Sequence, residues 1–131
     1  MKRFLVLLAA LAALFTAPAH AALQVDVTQG NAQPLPIAIP DFIGDAATGA
    51  NIAGVVRADL ERSGLFRPLD QKGFAERITD INKVPTFTSW RSLTAQGLVT
   101  GQVVTQPDGR MRVDFRLWDV YGESQMLGLQ Y

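Results

Sequence analysis

The chain contains no cysteine, and its one histidine, His20, falls in a stretch that reads as a removable leader. Without thiols there can be no disulfide, no thiolate nucleophile and no cysteine-ligated zinc. Without a histidine in the remainder, a serine nucleophile lacks its usual base and most transition-metal sites lack their commonest ligand. No apolar run reaches the roughly 20 residues that a membrane-crossing helix needs. An excess of one charge is missing too. With Lys2 and Arg3 removed, ten basic residues face twelve acidic ones, so the basic stripe of a nucleic-acid binder is absent.

What is present begins with an address. Lys2 and Arg3 precede an apolar run over residues 4–15, and Ala19-His20-Ala21 supplies the small residues a signal peptidase requires. Cleavage after Ala21 leaves 110 of the 131 residues, enough for one domain with a real core. Export, together with the lack of cysteine, points to a bacterial periplasm. The domain reading is therefore a signal peptide over 1–21, an extended segment over 22–33 and an α/β domain over 34–131.

Leu23-Gln24-Val25-Asp26-Val27-Thr28 alternates apolar and polar residues as a half-exposed strand does, and Gly30-Asn31 breaks it. Residues 35–40 read as a short buried strand, with Pro36 arguing for an edge or entry position. Residues 41–50, rich in Gly, Ala and Asp, read as loop. From Asn51 the period becomes helical: Ile52, Val55, Val56 and Leu60 share a face, Asn51 is the expected cap, Arg57 can pair with Glu61, and Gly64 closes the helix. Residues 65–69 form a strand, residues 71–81 are ambiguous, and residues 88–96 form a short helix ended by Gly97. Two strands, 98–106 and 111–119, flank a tight Gln106-Pro107-Asp108-Gly109 turn. Residues 126–131 alternate Leu127, Leu129 and Tyr131 as a further strand on which the chain stops, which reads as a truncated frame. The expected class is α/β, a small mixed sheet with two helices packed on one face, the 51–63 helix covering Trp118.

Candidate chemistry is thin. Asp41, Asp45 and Asp59 are the carboxylates nearest the first helix, and a hydrolase reading would rest on Asp41 and Asp59. The loop around Asp41 and Asp45 suits caps and turns at least as well. Ser63, Ser89 and Ser92 have no base and no Gly-x-Ser-x-Gly elbow; Ser89 and Ser92 suit the start of a helix instead. Gly44, Gly49 and Gly54 match neither a phosphate loop nor a dinucleotide fingerprint. Arg112, Asp114 and Arg116 alternate on one strand face and suit a solvated sheet face better than an acidic partner. The expectation is a chain without catalysis, cofactor or metal.

Four stretches carry a resemblance: Ile37-Ala38-Ile39-Pro40-Asp41-Phe42; residues 52–66, in which Ala58-Asp59-Leu60-Glu61-Arg62-Ser63-Gly64-Leu65-Phe66 is the most specific part; Trp90-Arg91; and Leu98-Val99-Thr100-Gly101-Gln102-Val103 followed by Pro107-Asp108-Gly109 and residues 113–119. In this order they resemble the amino-terminal domain of the TolB family, periplasmic components of the Tol–Pal envelope system. The motifs mark packing and a helix end, and no reactive group stands among them. The resemblance implies a protein–protein interaction module supporting outer-membrane integrity and cell division, peripheral to membranes and without nucleic acid. It implies that Ala22, Leu23, Gln24, Val25, Asp26, Val27, Thr28, Gln29 and Gly30 form the segment read by the C-terminal domain of TolA. Contact with the lipoprotein Pal belongs to a β-propeller domain that these residues do not include. The alternative envelope reading is an accessory factor that activates cell-wall synthases, but such factors are usually lipoproteins and no cysteine follows the leader.

Overall fold

A computed structural model describes residues 33–131. Its elements are β1 (Leu35–Ala38), α1 (Ala46–Arg62), β2 (Phe66–Pro68), a 3-10 turn (Gln71–Gly73), α2 (Phe87–Arg91), β3 (Gly97–Thr105), β4 (Met111–Asp119) and β5 (Ser124–Gln130). The strands form one mixed sheet in the order β2-β1-β3-β4-β5. β1 pairs in parallel with β2 on one side and β3 on the other, and β3, β4 and β5 run as an antiparallel meander. The mixed α/β class and its two helices are as the sequence indicates.

Pro36 does not place β1 at an edge. Its carbonyl accepts from the Gln96 N–H at 2.9 Å, one residue before β3 begins, so the missing proline donor faces a position the ladder does not yet occupy.

α1 starts five residues earlier than its apolar period. Asp45 is the cap, its carboxylate accepting from the Thr48 N–H at 3.0 Å and the Thr48 hydroxyl at 2.8 Å. Asn51 lies exposed inside the helix. The first turn is hidden in the sequence by Gly49, which reads as loop. Here it brings helix and loop backbones together, its carbonyl accepting from the Phe42 N–H at 3.2 Å. Gly64 ends the helix with φ of 76°. Val55 is exposed, and the buried stripe runs instead through Gly49 and Ala53, flanked by Ile52, Val56 and Leu60.

The Asp45 carboxyl is held below its ordinary pKa, first by the Thr48 backbone N–H and then by the Thr48 hydroxyl. A depressed carboxyl stabilises the fold above the unfolded value and ceases to do so as pH falls through the folded one. Asp45→Ala is therefore expected to lower the thermal midpoint at neutral pH. The gap from the parent should close as the buffer is taken below about pH 4; a gap independent of pH would show that the charge contributes nothing.

The helices occupy opposite faces of the sheet, not one. Odd-numbered positions of β1, β3 and β4 (Ile37, Val99, Val103, Val113, Phe115, Leu117), with Ile39 just past β1, pack with α1. Ala38, Leu98 and Trp118 point the other way and pack with Phe87 and Trp90 of α2. Trp118 is thus covered by α2. Its ring meets Phe87 edge-on at 6.0 Å, and its indole N–H donates to the Thr100 hydroxyl at 3.0 Å. Trp118 among the charged residues of β4 implies cover on this face too, without saying which helix supplies it.

α2 is shorter than its apolar spacing implies. Thr94 takes a positive φ of 62° and turns the chain, while Gly97 is the first residue of β3, set against the Ile37 side chain. No side chain caps α2; the Ser92 hydroxyl donates to the Ser89 carbonyl at 2.8 Å, past the helix end.

Candidate functional site

The order of connections creates a crevice. From β1 the chain passes through α1 to β2 on one side, then through the 71–86 segment and α2 to β3 on the other. β1 is therefore the topological switch point, and in open α/β sheets the space beyond the carboxyl end of such a strand is where ligands settle. A cleft of about 570 Å³ lies there, lined by Pro40, Asp41, Phe42 and Gly44 on one wall and Gln71, Phe74, Arg77 and Ile78 on the other.

Asp41 is committed within this cleft. Arg57 reaches over from α1, its Nη2 donating to Asp41 Oδ1 at 2.7 Å and its Nε to the Ile39 carbonyl at 2.9 Å. Gln71 Nε2 donates to the same carboxylate oxygen at 3.1 Å. Arg57 thus pairs with Asp41, not Glu61, because Arg57 turns toward the strand end that α1 covers. Asp59 pairs with Arg62 at 2.7 Å on the exposed side of α1, and Asp45 caps the helix. The three carboxylates are each held by different partners, so the hydrolase reading gains no acid–base pair. Among the described residues no group of three or more His, Cys, Asp or Glu is placed to hold a metal ion, and no helix is long and apolar enough to cross a membrane.

The far wall of the cleft has no periodicity because side chains hold it. Glu76 accepts from the Thr86 backbone N–H at 3.0 Å and from the Trp90 indole N–H at 2.5 Å. Arg116 donates to the Ile81 carbonyl at 2.6 Å and to Asn82 Oδ1 at 2.9 Å. Arg112 pairs with Asp114 on its own strand at 3.2 Å. The charged face of β4 is thereby spent on fastening a loop over it and on an internal pair, so it is half-buried where the sequence suggests a solvated sheet face.

A second recess, about 270 Å³, is wholly apolar. It lies between α1 (Val56, Leu60) and the sheet (Phe115, Leu117, Leu127). The alternation of Leu127, Leu129 and Tyr131 was the sequence signal for this surface; the cleft at β1 could have been anticipated from the strand–helix–strand order. The expected docking residues, 22–30, lie outside the described residues.

A family model described as the TolB amino-terminal domain matches residues 23–126. Among solved structures, TolB from Acinetobacter baumannii superposes with a TM-score of 0.59 at 27% identity, over 75% of this chain and 23% of that one. The C-terminal domain of LpoB from Salmonella enterica superposes with a TM-score of 0.56 at 10% identity, over 76% of this chain and 82% of that one. A lipoprotein from Neisseria meningitidis gives 0.56 at 12% identity, over 76% and 78% respectively. The last two likenesses are of fold alone. The present chain spans about a quarter of the length of the solved TolB chain it matches.

Proposed function

The chain belongs to the TolB amino-terminal domain family, and from that premise we propose that it is a non-catalytic, periplasmic protein–protein interaction module of the Tol–Pal envelope system. The observation that carries this reading is the span of the family match, which starts at Leu23. The alternating stretch before Gly30 is thus part of what the family shares, and it follows directly on the expected cleavage point after Ala21. Such a stretch can add to the sheet edge of another protein, with backbone hydrogen bonds supplying affinity and alternate side chains supplying selectivity. The proposed partner is the C-terminal domain of TolA.

Calorimetric titration of the C-terminal domain of TolA into the chain tests this. Saturable binding is expected, lost on deletion of residues 22–30, with the thermal midpoint of the remaining domain unchanged. Equal binding by the deleted chain would move the contact elsewhere, and no binding by either would end the assignment.

A further inference from the structure

We infer that the outer edge of β5 is a self-pairing surface, which takes the same strand of a second copy antiparallel about Leu129. The two edges of the sheet differ sharply. β2 is three residues long and carries Arg67 and Pro68, both features that discourage strand addition. β5 is seven residues long, has no charge and no proline, and is exposed throughout.

The backbone phase fits a partner of the same sequence. Val113 and Tyr131 exchange both of their hydrogen bonds, each at 2.8 Å, and so form a hydrogen-bonded pair. Such pairs alternate along an antiparallel ladder. In the register Leu129↔Phe115 and Leu127↔Leu117, the residues between, Gly128 and Gln130, direct their N–H and C=O groups away from β4. Two copies centred on Leu129 place Gly128 opposite Gln130 of the second copy, and the reverse. That arrangement satisfies four donors and four acceptors that have no partner among the described residues.

The side chains agree. Leu127, Leu129 and Tyr131 share one face, with 42%, 39% and 76% of their surface exposed. Tyr131 is stacked on Phe115, centroids 5.9 Å apart and planes within 11°, which fixes its ring at the edge. The twofold sets Leu129 against Leu129 and Leu127 against Tyr131 of the second copy, with no charge meeting a like charge. The surface adjoins the apolar recess through Leu127. The pairing uses none of residues 22–30 and is independent of the function proposed above.

Sedimentation equilibrium of the full chain, from micromolar to sub-millimolar concentration, should show mass rising to twice the monomer value. Gln130→Pro removes an outward N–H while leaving the β4 ladder intact, and should hold the chain at monomer mass. Met126→Lys, at the irregularity in the β4–β5 register, should still dimerise. Because the chain has no cysteine, Leu129→Cys offers a direct reading. Facing residues in a non-hydrogen-bonded pair have Cα atoms about 4.5 Å apart, within disulfide range, so this variant should crosslink on mild oxidation and Ser124→Cys should not. Monomer mass throughout, a dimer indifferent to Gln130→Pro, or equal crosslinking by the two cysteine variants would each overturn the inference.

Discussion

Replacing Trp90 with alanine is expected to remove a large share of the domain's stability. The indole is fully buried, takes Phe74 edge-on at 5.0 Å, and donates its N–H to Glu76. Truncating a buried Trp costs about 3–5 kcal/mol, against a total of roughly 5–15 kcal/mol for a domain. Near 100 residues, each kcal/mol lowers the thermal midpoint by about 4–8 °C, so a fall of more than about 12 °C is expected. The loss extends beyond packing. Glu76 ties the 71–86 segment to α2 through both Thr86 and Trp90, so this segment should become sensitive to proteolysis at temperatures where the parent resists. Trp90→Phe keeps most of the apolar contact and removes only the donor, and should cost about 1–3 kcal/mol through the carboxylate left short of a partner. An alanine variant within about 1 kcal/mol of the parent, the size of an ordinary substitution, would show that the core on this face is not built around Trp90.

The second large effect is one of sign. Two glycines lie inside α1, and helix propensity predicts that alanine at either would stabilise by up to about 1 kcal/mol. At Gly54 that is the expected result, because an added Cβ meets nothing nearer than the Arg57 guanidinium at 4.0 Å. At Gly49 the same methyl would run into the Phe42 carbonyl, backbone against backbone. Phe42 cannot yield easily. It is buried, its N–H is bonded to Gly49, and its ring lies over Gly101, where a Cβ would come within 2.5 Å of it. Overpacking of this kind costs about 1–3 kcal/mol. Gly49→Ala should therefore lower the urea midpoint while Gly54→Ala raises it. A raised midpoint for Gly49→Ala would mean that the Phe42 carbonyl leaves room for a methyl against the helix.

These residues also explain which parts of the fold are legible from the chain. The Gln106–Gly109 turn is readable because it is decided locally: Gly109 takes the positive φ of 87°, and the Gln106 N–H closes on the Arg110 carbonyl at 2.7 Å. The body of α1 is readable by its period. Its first turn is not, since Gly49 reads as a loop glycine and the close approach of the Phe42 backbone that requires it leaves no mark on the apolar period. The 71–86 segment gives no signal, because it is held by side-chain bonds, Glu76 to Thr86 and Trp90 and Arg116 to Ile81 and Asn82, that follow no period. The cover over Trp118 escapes reading for a related reason: α1 and α2 are each apolar on one side, and choosing between them requires knowing where the sheet lies. At the candidate site, Asp41 is conspicuous as a carboxylate near a helix, but its partner Arg57 is sixteen residues away and becomes visible only when α1 folds back over β1.

The sheet keeps its two apolar layers apart, and no buried side chain belongs to both. Perturbations of sites without shared neighbours tend to sum. A gain made at Gly54 can therefore offset a loss made at Trp90 without either altering the other's size. The upper and lower halves of the molecule can be tuned as separate instruments.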